Sequence, residues 1–241
     1  MTLGPFMNIP FGTLHIALCG RQRIVVCSDS RGHSRSGPSG DVFNKLFQAG
    51  QRTLCATSGV LMLSPDVYVA SRVARICAEV RLQDSPRELL SAIRDDMHRP
   101  LVDLFTKNPL PDDLPSVFSA FSIRRSRNGE IDILNLDFPV VTGSDGRRLL
   151  GKPTTISQLE GLRPPGRFVY HHSRGDCLPK DLNQMVDPDL PDNIVLVAVD
   201  AIFESARAST QSCRDEIGGP IDVAAIDSNG FRWLRRKPIF L

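Results

Sequence analysis

The feature that most constrains the fold is a repeated pairing of short apolar runs across a tight polar turn. The first pair, residues 13–19 and 22–28, flanks Gly20 and Arg21. Such pairs are typical of β-hairpins, whose strands run antiparallel. Further strand-forming runs occupy about 45–48 and 52–57, then 117–124 and 130–137, and finally 220–227 and 230–235. We assign the first two pairs to one antiparallel sheet and begin a second sheet at residue 117.

Two helices are predicted between these sheets. After residue 59 the apolar residues recur at helical intervals, at Val67, Ala70, Val73, Ala74 and Cys77. Ser85 and Glu88 form a capping box around Pro86, which would occupy the first helical position. The second helix therefore begins there and continues to Leu104. We expect the two helices to lie side by side.

The second half of the chain predicts one more helix after a region of little pattern. Prolines and glycines interrupt residues 138–193, which we interpret as mostly loop with one strand at 167–171. A helix follows from about Ile194 to Cys213. The residues predicted for its inner face are Val197, Ala198, Ala201, Ile202, Ser205 and Ala208.

These elements predict one α+β domain. An antiparallel sheet with one apolar face must be covered, so we expect two sheets packed on each other with helices outside. The domain would span residues 13–241 and include the loop-rich insertion at about 138–193. No segment reads as a linker between two domains.

Composition excludes two classes of partner. The chain of 241 residues has 29 basic and 27 acidic residues without a basic block, which argues against nucleic acid. No apolar run reaches the roughly 20 residues that a membrane-spanning helix needs. The first twelve residues resemble no secretion signal, so we expect a cytoplasmic protein that does not bind membranes.

The cysteines are widely spaced and include no CxxC pair, so we expect six buried, reduced thiols. His171 and His172 lie near Asp176 and Cys177, but adjacent histidines on an extended chain point to opposite sides. We therefore expect neither a metal nor any other cofactor.

Gly12 and Thr13 carry the candidate chemistry. Cleavage of the bond between them would leave Thr13 with a free α-amine beside its hydroxyl, and that amine can serve as the base for its own hydroxyl. Lys45 is the candidate cation that lowers the pKa of the amine, and Asp29 is its candidate partner. Each of these residues alone is also ordinary in a purely structural role.

The stretch "GTLHIALCGRQRIVVCSDSRG", followed by "FNKLFQAGQRTLCATSGV", resembles the N-terminal third of the proteasome β-subunits and their bacterial relatives, the N-terminal-nucleophile (Ntn) hydrolases. Counted without gaps from Thr13, the family's aspartate, arginine, lysine and helix-opening glycine fall on Asp29, Arg31, Lys45 and Gly59. The resemblance implies a four-layer αββα sandwich. It also implies a Thr13 nucleophile, electrostatic support from Lys45 and Asp29, structural support from Arg31, and an oxyanion donor at the Gly59 N–H.

The resemblance is partial near the C-terminus. "RDEIGGPIDVAAIDSNG" is similar to the family segment that carries a catalytic aspartate, which matches Asp215. The serine that follows in the family is replaced here by Gly218 or deleted. Two candidates remain for a further family serine that contacts the threonine amine, Ser144 and the Ser173-Arg174-Gly175 segment. The residues that the resemblance implies for substrate binding are Gly32, Phe43, Phe47 and Thr57, which would favour an apolar substrate side chain.

The implied activity is that of a threonine endopeptidase that removes residues 1–12 by autolysis and needs no cofactor. Its substrates would be peptides or unfolded proteins, its assembly a homo-oligomeric ring, and an ATP-dependent unfoldase a possible partner. Two alternatives stay open at this point. One is an Ntn amidohydrolase acting on non-peptide amides, and the other is a non-catalytic assembly subunit that retains its N-terminus.

Overall fold

The computed structural model describes residues 13–34, 37–40, 43–64, 66–80, 84–108, 110, 115–163, 166–172, 175–182 and 186–237. The predicted propeptide 1–12, with Gly12, lies outside these residues, as do Ser173 and Arg174. Within the described ranges, no helix combines the length and the apolar character required to cross a bilayer.

The secondary structure alternates hairpins with helices. The strands in chain order are β1 (His15–Cys19), β2 (Ile24–Ser28), β3 (Gly32–Ser34), β4 (Gly37–Gly40), β5 (Leu46–Gln48), β6 (Thr53–Gly59), β7 (Met62–Ser64), β8 (Val67–Tyr68), β9 (Ser116–Arg125), β10 (Ile131–Thr142), β11 (Arg148–Leu150), β12 (Thr154–Leu162), β13 (Phe168–His172), β14 (Asp222–Asp227) and β15 (Gly230–Arg235). The helices are α1 (Val69–Glu79), α2 (Pro86–Lys107), α3 (Asp192–Ser209) and α4 (Gln211–Glu216).

Two larger antiparallel sheets organise the chain. One has the order β13-β1-β2-β14-β15, and the other has the order β11-β10-β9-β6-β5 with β12 also paired to β10. All of the predicted hairpins form. The assignment of residues 45–57 to the first sheet is wrong, because β6 pairs along its whole length with β9 of the second sheet, from Thr53 opposite Arg124 to Gly59 opposite Phe118.

Three apolar cores join the layers. The space between the two sheets is filled by residues such as Ala17, Ile24, Leu54 and Phe121. A second core packs α1 and α2 against the six-stranded sheet, and a third packs α3 and α4 against the five-stranded sheet. The fold is therefore α+β with antiparallel sheets, an arrangement compatible with an αββα sandwich.

Helices α1 and α2 form as a side-by-side pair. The Ser85 side chain accepts a hydrogen bond from the Glu88 N–H at 3.4 Å, and α2 begins at Pro86 as predicted. Arg72 of α1 joins Asp96 of α2 by an ion pair of 2.7 Å. The start of α1 is later than expected, because the short hairpin of β7 and β8 precedes it.

The predicted inner face of the third helix is correct at Ile202 but wrong at Val197, Ala201, Ser205 and Ala208, which are exposed. The residues that α3 buries are Val195, Val199, Ile202, Phe203 and Ala206, whereas Val197 is 69% exposed. The helix has apolar residues on two sides, and Phe203 anchors the side that the sequence pattern did not single out. The helix also ends at Ser209, because Thr210 caps a separate helix by accepting a hydrogen bond from the Cys213 N–H at 3.1 Å.

The region 138–193 contains more regular structure than a loop. Strand β10 continues to Thr142, and β11 and β12 pair with it. Most of β12 is exposed to solvent, so its sequence lacks the alternation of polar and apolar residues that marks a half-buried strand. The one strand expected there is confirmed as β13.

The expectation of six free thiols is wrong at two positions. Cys177 and Cys213 form a disulfide between the 3-10 turn at Gly175–Cys177 and α4. The other four cysteines are free and buried. Among the described residues, Asp176 with these two cysteines is the only compact group of potential metal ligands, and the disulfide occupies both sulfur atoms.

Candidate functional site

Thr13 lies two residues before β1, at one end of the space between the sheets. Side chains alternate from Leu14 through β1: Leu14, Ile16 and Leu18 contribute to the core beneath α3 and α4, and Ala17 and Cys19 contribute to the core between the sheets. This alternation assigns Thr13 and His15 to the face that meets the second sheet. Thr13 is 1% exposed and His15 is fully buried.

The carboxylate of Asp29 lies against the backbone next to Thr13. It accepts hydrogen bonds from the N–H groups of Leu14 at 3.0 Å, Arg31 at 3.2 Å and Gly218 at 3.2 Å. Lys45 Nζ approaches the same carboxylate at 3.2 Å. Four donors satisfy a carboxylate that is entirely out of contact with solvent.

Lys45 is fully buried and held by two acceptors. Its ammonium contacts Asp29 Oδ1 and donates to the carbonyl of Arg31. Its own carbonyl accepts the Thr57 N–H at 2.9 Å, so the start of β5 is fixed to β6. The structure therefore brings Asp29 and Lys45 together beside the residue that follows Thr13. Their role in catalysis stays a prediction.

Arg31 and Gly218 fit closely together. The Gly218 carbonyl accepts the N–H groups of Ser30 and Arg31, each at 3.0 Å. A Cβ atom at Gly218 would lie 2.3 Å from Arg31 Cζ, so the guanidinium occupies the space where a side chain would begin. The same guanidinium donates to the Arg214 carbonyl at 2.8 Å. The glycine found in place of the family's serine is thus matched to the arginine.

Asp215 belongs to the same stretch of chain. It lies near the end of α4, where its carboxylate accepts a hydrogen bond from Gln211 Nε2 at 2.9 Å on the same helix. Arg214, directly before it, contacts Arg31, and Gly218, three residues after it, contacts Asp29. The structure brings this segment to the site, and a catalytic role for Asp215 itself remains a prediction.

Gly59 ends β6 and does not open a helix, since α1 begins at Val69. Its φ is +95°, and a Cβ would lie 2.3 Å from the Val117 carbonyl oxygen, so only glycine fits. The Val60 N–H donates to the Val117 carbonyl of β9, whereas the Thr57 N–H donates to the Lys45 carbonyl. Because N–H directions alternate along a strand, the Gly59 N–H points to the Lys45 side.

A row of polar side chains joins the two sheets at this end. His15 and His172 are directly opposite each other on β1 and β13. His15 Nε2 lies 2.9 Å from the Thr57 carbonyl, and His172 Nε2 lies 2.9 Å from Ser119 Oγ, which in turn lies 2.7 Å from Ser58 Oγ. The sequence reasoning considered His172 only as a metal ligand, which it rejected, and it missed His15, Ser58 and Ser119.

The direction of these contacts brings Thr13 and Gly59 to the same end. One row further into the core, Tyr170 is opposite Ala17 on β1, and its hydroxyl donates to Asn135 Oδ1 at 2.6 Å. Asn135 lies in the same row of the six-stranded sheet as Ala56 of β6. Going into the core, residue numbers therefore rise along β1 and fall along β6. Continued outward past the histidine row, the same progression carries β1 to Thr13 and β6 to Gly59.

Burial keeps both histidines neutral. It lowers the pKa of His15 well below its usual value, with further contributions from His172 and Lys45. It lowers the pKa of His172 to about 4, and the charge of His171 acts in the same direction. The proton of neutral His15 belongs on Nε2, because its partner is the Thr57 carbonyl, which can only accept.

A second buried lysine lies near the first. Lys237 forms an ion pair of 3.0 Å with Asp222 and donates to the Phe43 carbonyl. Asp222 is opposite Ser28 on β2, the residue before Asp29. Burial lowers the pKa of Lys237, and Asp222 opposes that shift. No sequence signal identifies Lys237, whereas the two-residue spacing from Thr13 is a signal that could have identified His15.

The four residues predicted to bind substrate lie in different surroundings. Phe47 belongs to the core beneath α1 and α2, and its assignment to a substrate pocket stays a prediction. Thr57 is buried; its N–H donates to the Lys45 carbonyl, and its carbonyl accepts a hydrogen bond from His15 Nε2. Phe43 is half-buried, and its N–H bonds the Ser30 carbonyl at 3.1 Å. Gly32, in β3, is buried beside Arg31.

Ser144 is in an exposed turn between β10 and β11, and Ser173 lies outside the described residues. A cavity of 310 Å³ lies between the β7–β8 hairpin and α2; it is lined by Leu63, Ser64, Val67, Arg72, Pro100, Asp103, Leu104, Lys107 and Asn108.

Comparison with known proteins adds no assignment to this geometry. The sequence matches no protein-family model, and a search of curated proteins finds no match to it.

Proposed function

We propose that this chain is an Ntn hydrolase that cleaves peptide bonds through Thr13 after residues 1–12 have been removed. The observation that carries the proposal is the fully buried Lys45–Asp29 pair, whose carboxylate also accepts the N–H of Leu14. Burying two opposite charges is costly, and a hydrophobic pair of similar volume often serves stability as well or better. The presence of such a pair directly beside a candidate nucleophile therefore favours a catalytic role.

The proposed reaction needs only groups of this chain and water. The free amine of Thr13 takes the hydroxyl proton as Oγ attacks the substrate carbonyl, and the developing oxyanion is stabilised by the Gly59 N–H. The peptide C–N bond then breaks, the leaving amine takes the proton, and an ester to Thr13 remains. Water hydrolyses that ester with the amine again acting as base. The Lys45 charge favours the unprotonated amine at neutral pH.

The Ntn fold itself, an oligomeric ring and an ATP-dependent unfoldase are further parts of the proposal. Support for the fold comes from two antiparallel sheets with helix pairs on their outer faces. A cytoplasmic location also stays a proposal. The Cys177–Cys213 disulfide is more typical of oxidising compartments, so the redox state of these cysteines in cells tests it.

The decisive experiment is intact mass and N-terminal sequencing of the purified protein. We expect the wild type to begin at Thr13 and to hydrolyse fluorogenic peptides. Thr13→Ala should retain residues 1–12 and be inactive, and Thr13→Ser, which keeps a hydroxyl, should still be processed. A full-length wild type without peptidase activity would refute the proposal. Turnover of small acyl amides but not peptides would instead support a non-peptide amidohydrolase.

A non-catalytic assembly subunit is the second candidate function. It is favoured by the 1% exposure of Thr13 and by the replacement of the family's serine by Gly218. In such a subunit the Thr13 nitrogen stays an amide and cannot act as a base. Full-length mass combined with stable oligomers in mass photometry is the result that this function predicts.

A further inference from the structure

Two hydrogen-bonded connections cross between the sheets at the Thr13 end. The first runs from His15 Nε2 to the Thr57 carbonyl at 2.9 Å. The second runs from His172 Nε2 to Ser119 Oγ at 2.9 Å and on to Ser58 Oγ at 2.7 Å. Each begins on a histidine of the five-stranded sheet and ends in the six-stranded sheet.

Both connections end next to Gly59. Thr57 and Ser58 are the two residues before it on β6, so their positions determine where the Gly59 N–H lies. At the other end, His15 and His172 are cross-strand neighbours, and His15 is two residues from Thr13. The connections therefore join the strand of the proposed nucleophile to the strand of the proposed oxyanion donor.

We propose that His172 and His15 are positioning residues that fix the separation between Thr13 and the Gly59 N–H. The inference rests on the proposed function, because it assigns these histidines to the same reaction. Apolar contacts between sheets are non-directional, whereas hydrogen bonds require defined distances and angles. An error of about 1 Å in the placement of reacting groups can reduce the rate about 100-fold.

Stability alone accounts poorly for this network. The remainder of the space between the sheets is filled mainly by apolar side chains. His15 Nδ1 is buried without a hydrogen-bond partner among the described residues, and leaving such an acceptor unsatisfied typically costs about 1–3 kcal/mol. An apolar residue at this position would avoid that cost. The polar side chain lies where the two halves of the site must be aligned.

The test compares His172→Leu with His172→Gln in processed enzyme, using kcat and KM on a fluorogenic peptide. We expect His172→Leu to lower kcat by about 10–100-fold while KM changes less than about threefold, because the change acts on transition-state geometry. His172→Gln keeps a polar atom near the Nε2 position and should recover most of kcat. His171→Leu, at the exposed neighbouring residue, is the matched control and should leave both constants unchanged.

Ser119→Ala tests the same connection from the other sheet with a smaller change. It should reproduce the kcat loss of His172→Leu, and the melting temperature of each variant shows that the fold persists. Full kcat in both variants would overturn the inference while leaving the proposed function intact. The inference would also be overturned if His172→Leu and His172→Gln lost kcat equally and in proportion to a lower melting temperature, since that result indicates a structural role. An unprocessed, inactive wild type would refute the proposed function, and this inference with it.

Discussion

The buried histidine His172 should make the protein sensitive to acid. Its pKa is lowered from the ordinary 6.5 to about 4 by burial, so the unfolded chain binds a proton that the folded protein excludes between these two values. The contribution of His172 to the free energy of unfolding should therefore be fully present above pH 6.5 and be lost as the pH decreases toward 4. The full difference corresponds to about 3 kcal/mol.

The measurement is urea-induced unfolding at about pH 7 and about pH 4.5 at constant ionic strength. Linkage between these two pH values gives a loss of roughly 2 kcal/mol from His172 alone. His15 should add to the loss, because burial lowers its pKa in the same direction. Carboxylates also contribute, so the informative quantity is the difference between wild type and His172→Gln. The variant should lose roughly 2 kcal/mol less than the wild type over the same interval.

His171→Gln is the matched control, because His171 is the exposed neighbour on the same strand. It should retain most of the acid sensitivity of the wild type, because burial is the main cause of the lowered pKa of His172 and the charge of His171 is the smaller one. If His172→Gln and the wild type lose the same free energy between the two pH values, His172 is accessible to protons in the folded protein. The reasoning from burial is then refuted.

Gly218→Ser should displace the Arg31 side chain but leave the protein folded, with a loss of about 1 kcal/mol in the free energy of unfolding by urea. The loss is small because the new Cβ would clash with the guanidinium end of a flexible side chain, which can move. Gly59→Ala should cost more, about 2–3 kcal/mol, because it combines a positive φ with a backbone clash, and equal effects of the two glycine variants would contradict this contrast. Reduction of the Cys177–Cys213 disulfide, which closes a separation of 36 residues, should lower the free energy of unfolding by about 2–4 kcal/mol. A Cys177→Ser variant should lose a similar amount and no longer respond to a dithiol reductant.

Local signals predicted much of the fold. Hairpins with clear turns formed where expected, and the proline and capping residues at 85–88 identified the start of α2. The side of α3 that faces the core was not predictable, because apolar residues occur on both of its sides and only packing decides between them. Strand β12 was missed for a related reason, since a largely exposed strand need not alternate.

The candidate site was predictable only where it follows from spacing along the chain. Counting from Thr13 in the register that the family resemblance implies identified Asp29 and Lys45, which the structure brings within 3.2 Å of each other. The histidine row depends on which strands become neighbours and which sheets face each other, and Lys237 arrives from the end of the chain. Such long-range pairings leave no mark on local sequence. The same limitation concealed the disulfide, whose cysteines show no characteristic spacing.

The bond from the Gly218 N–H to Asp29 joins residues 189 positions apart. A growing chain thus carries its Thr13 segment for most of its synthesis before the last donor to the aspartate exists. The maturation of such an enzyme would await the finished polypeptide, and nascent or C-terminally truncated chains should keep residues 1–12. Restricting self-cleavage to completed molecules would protect a ribosome-bound chain from its own nucleophile.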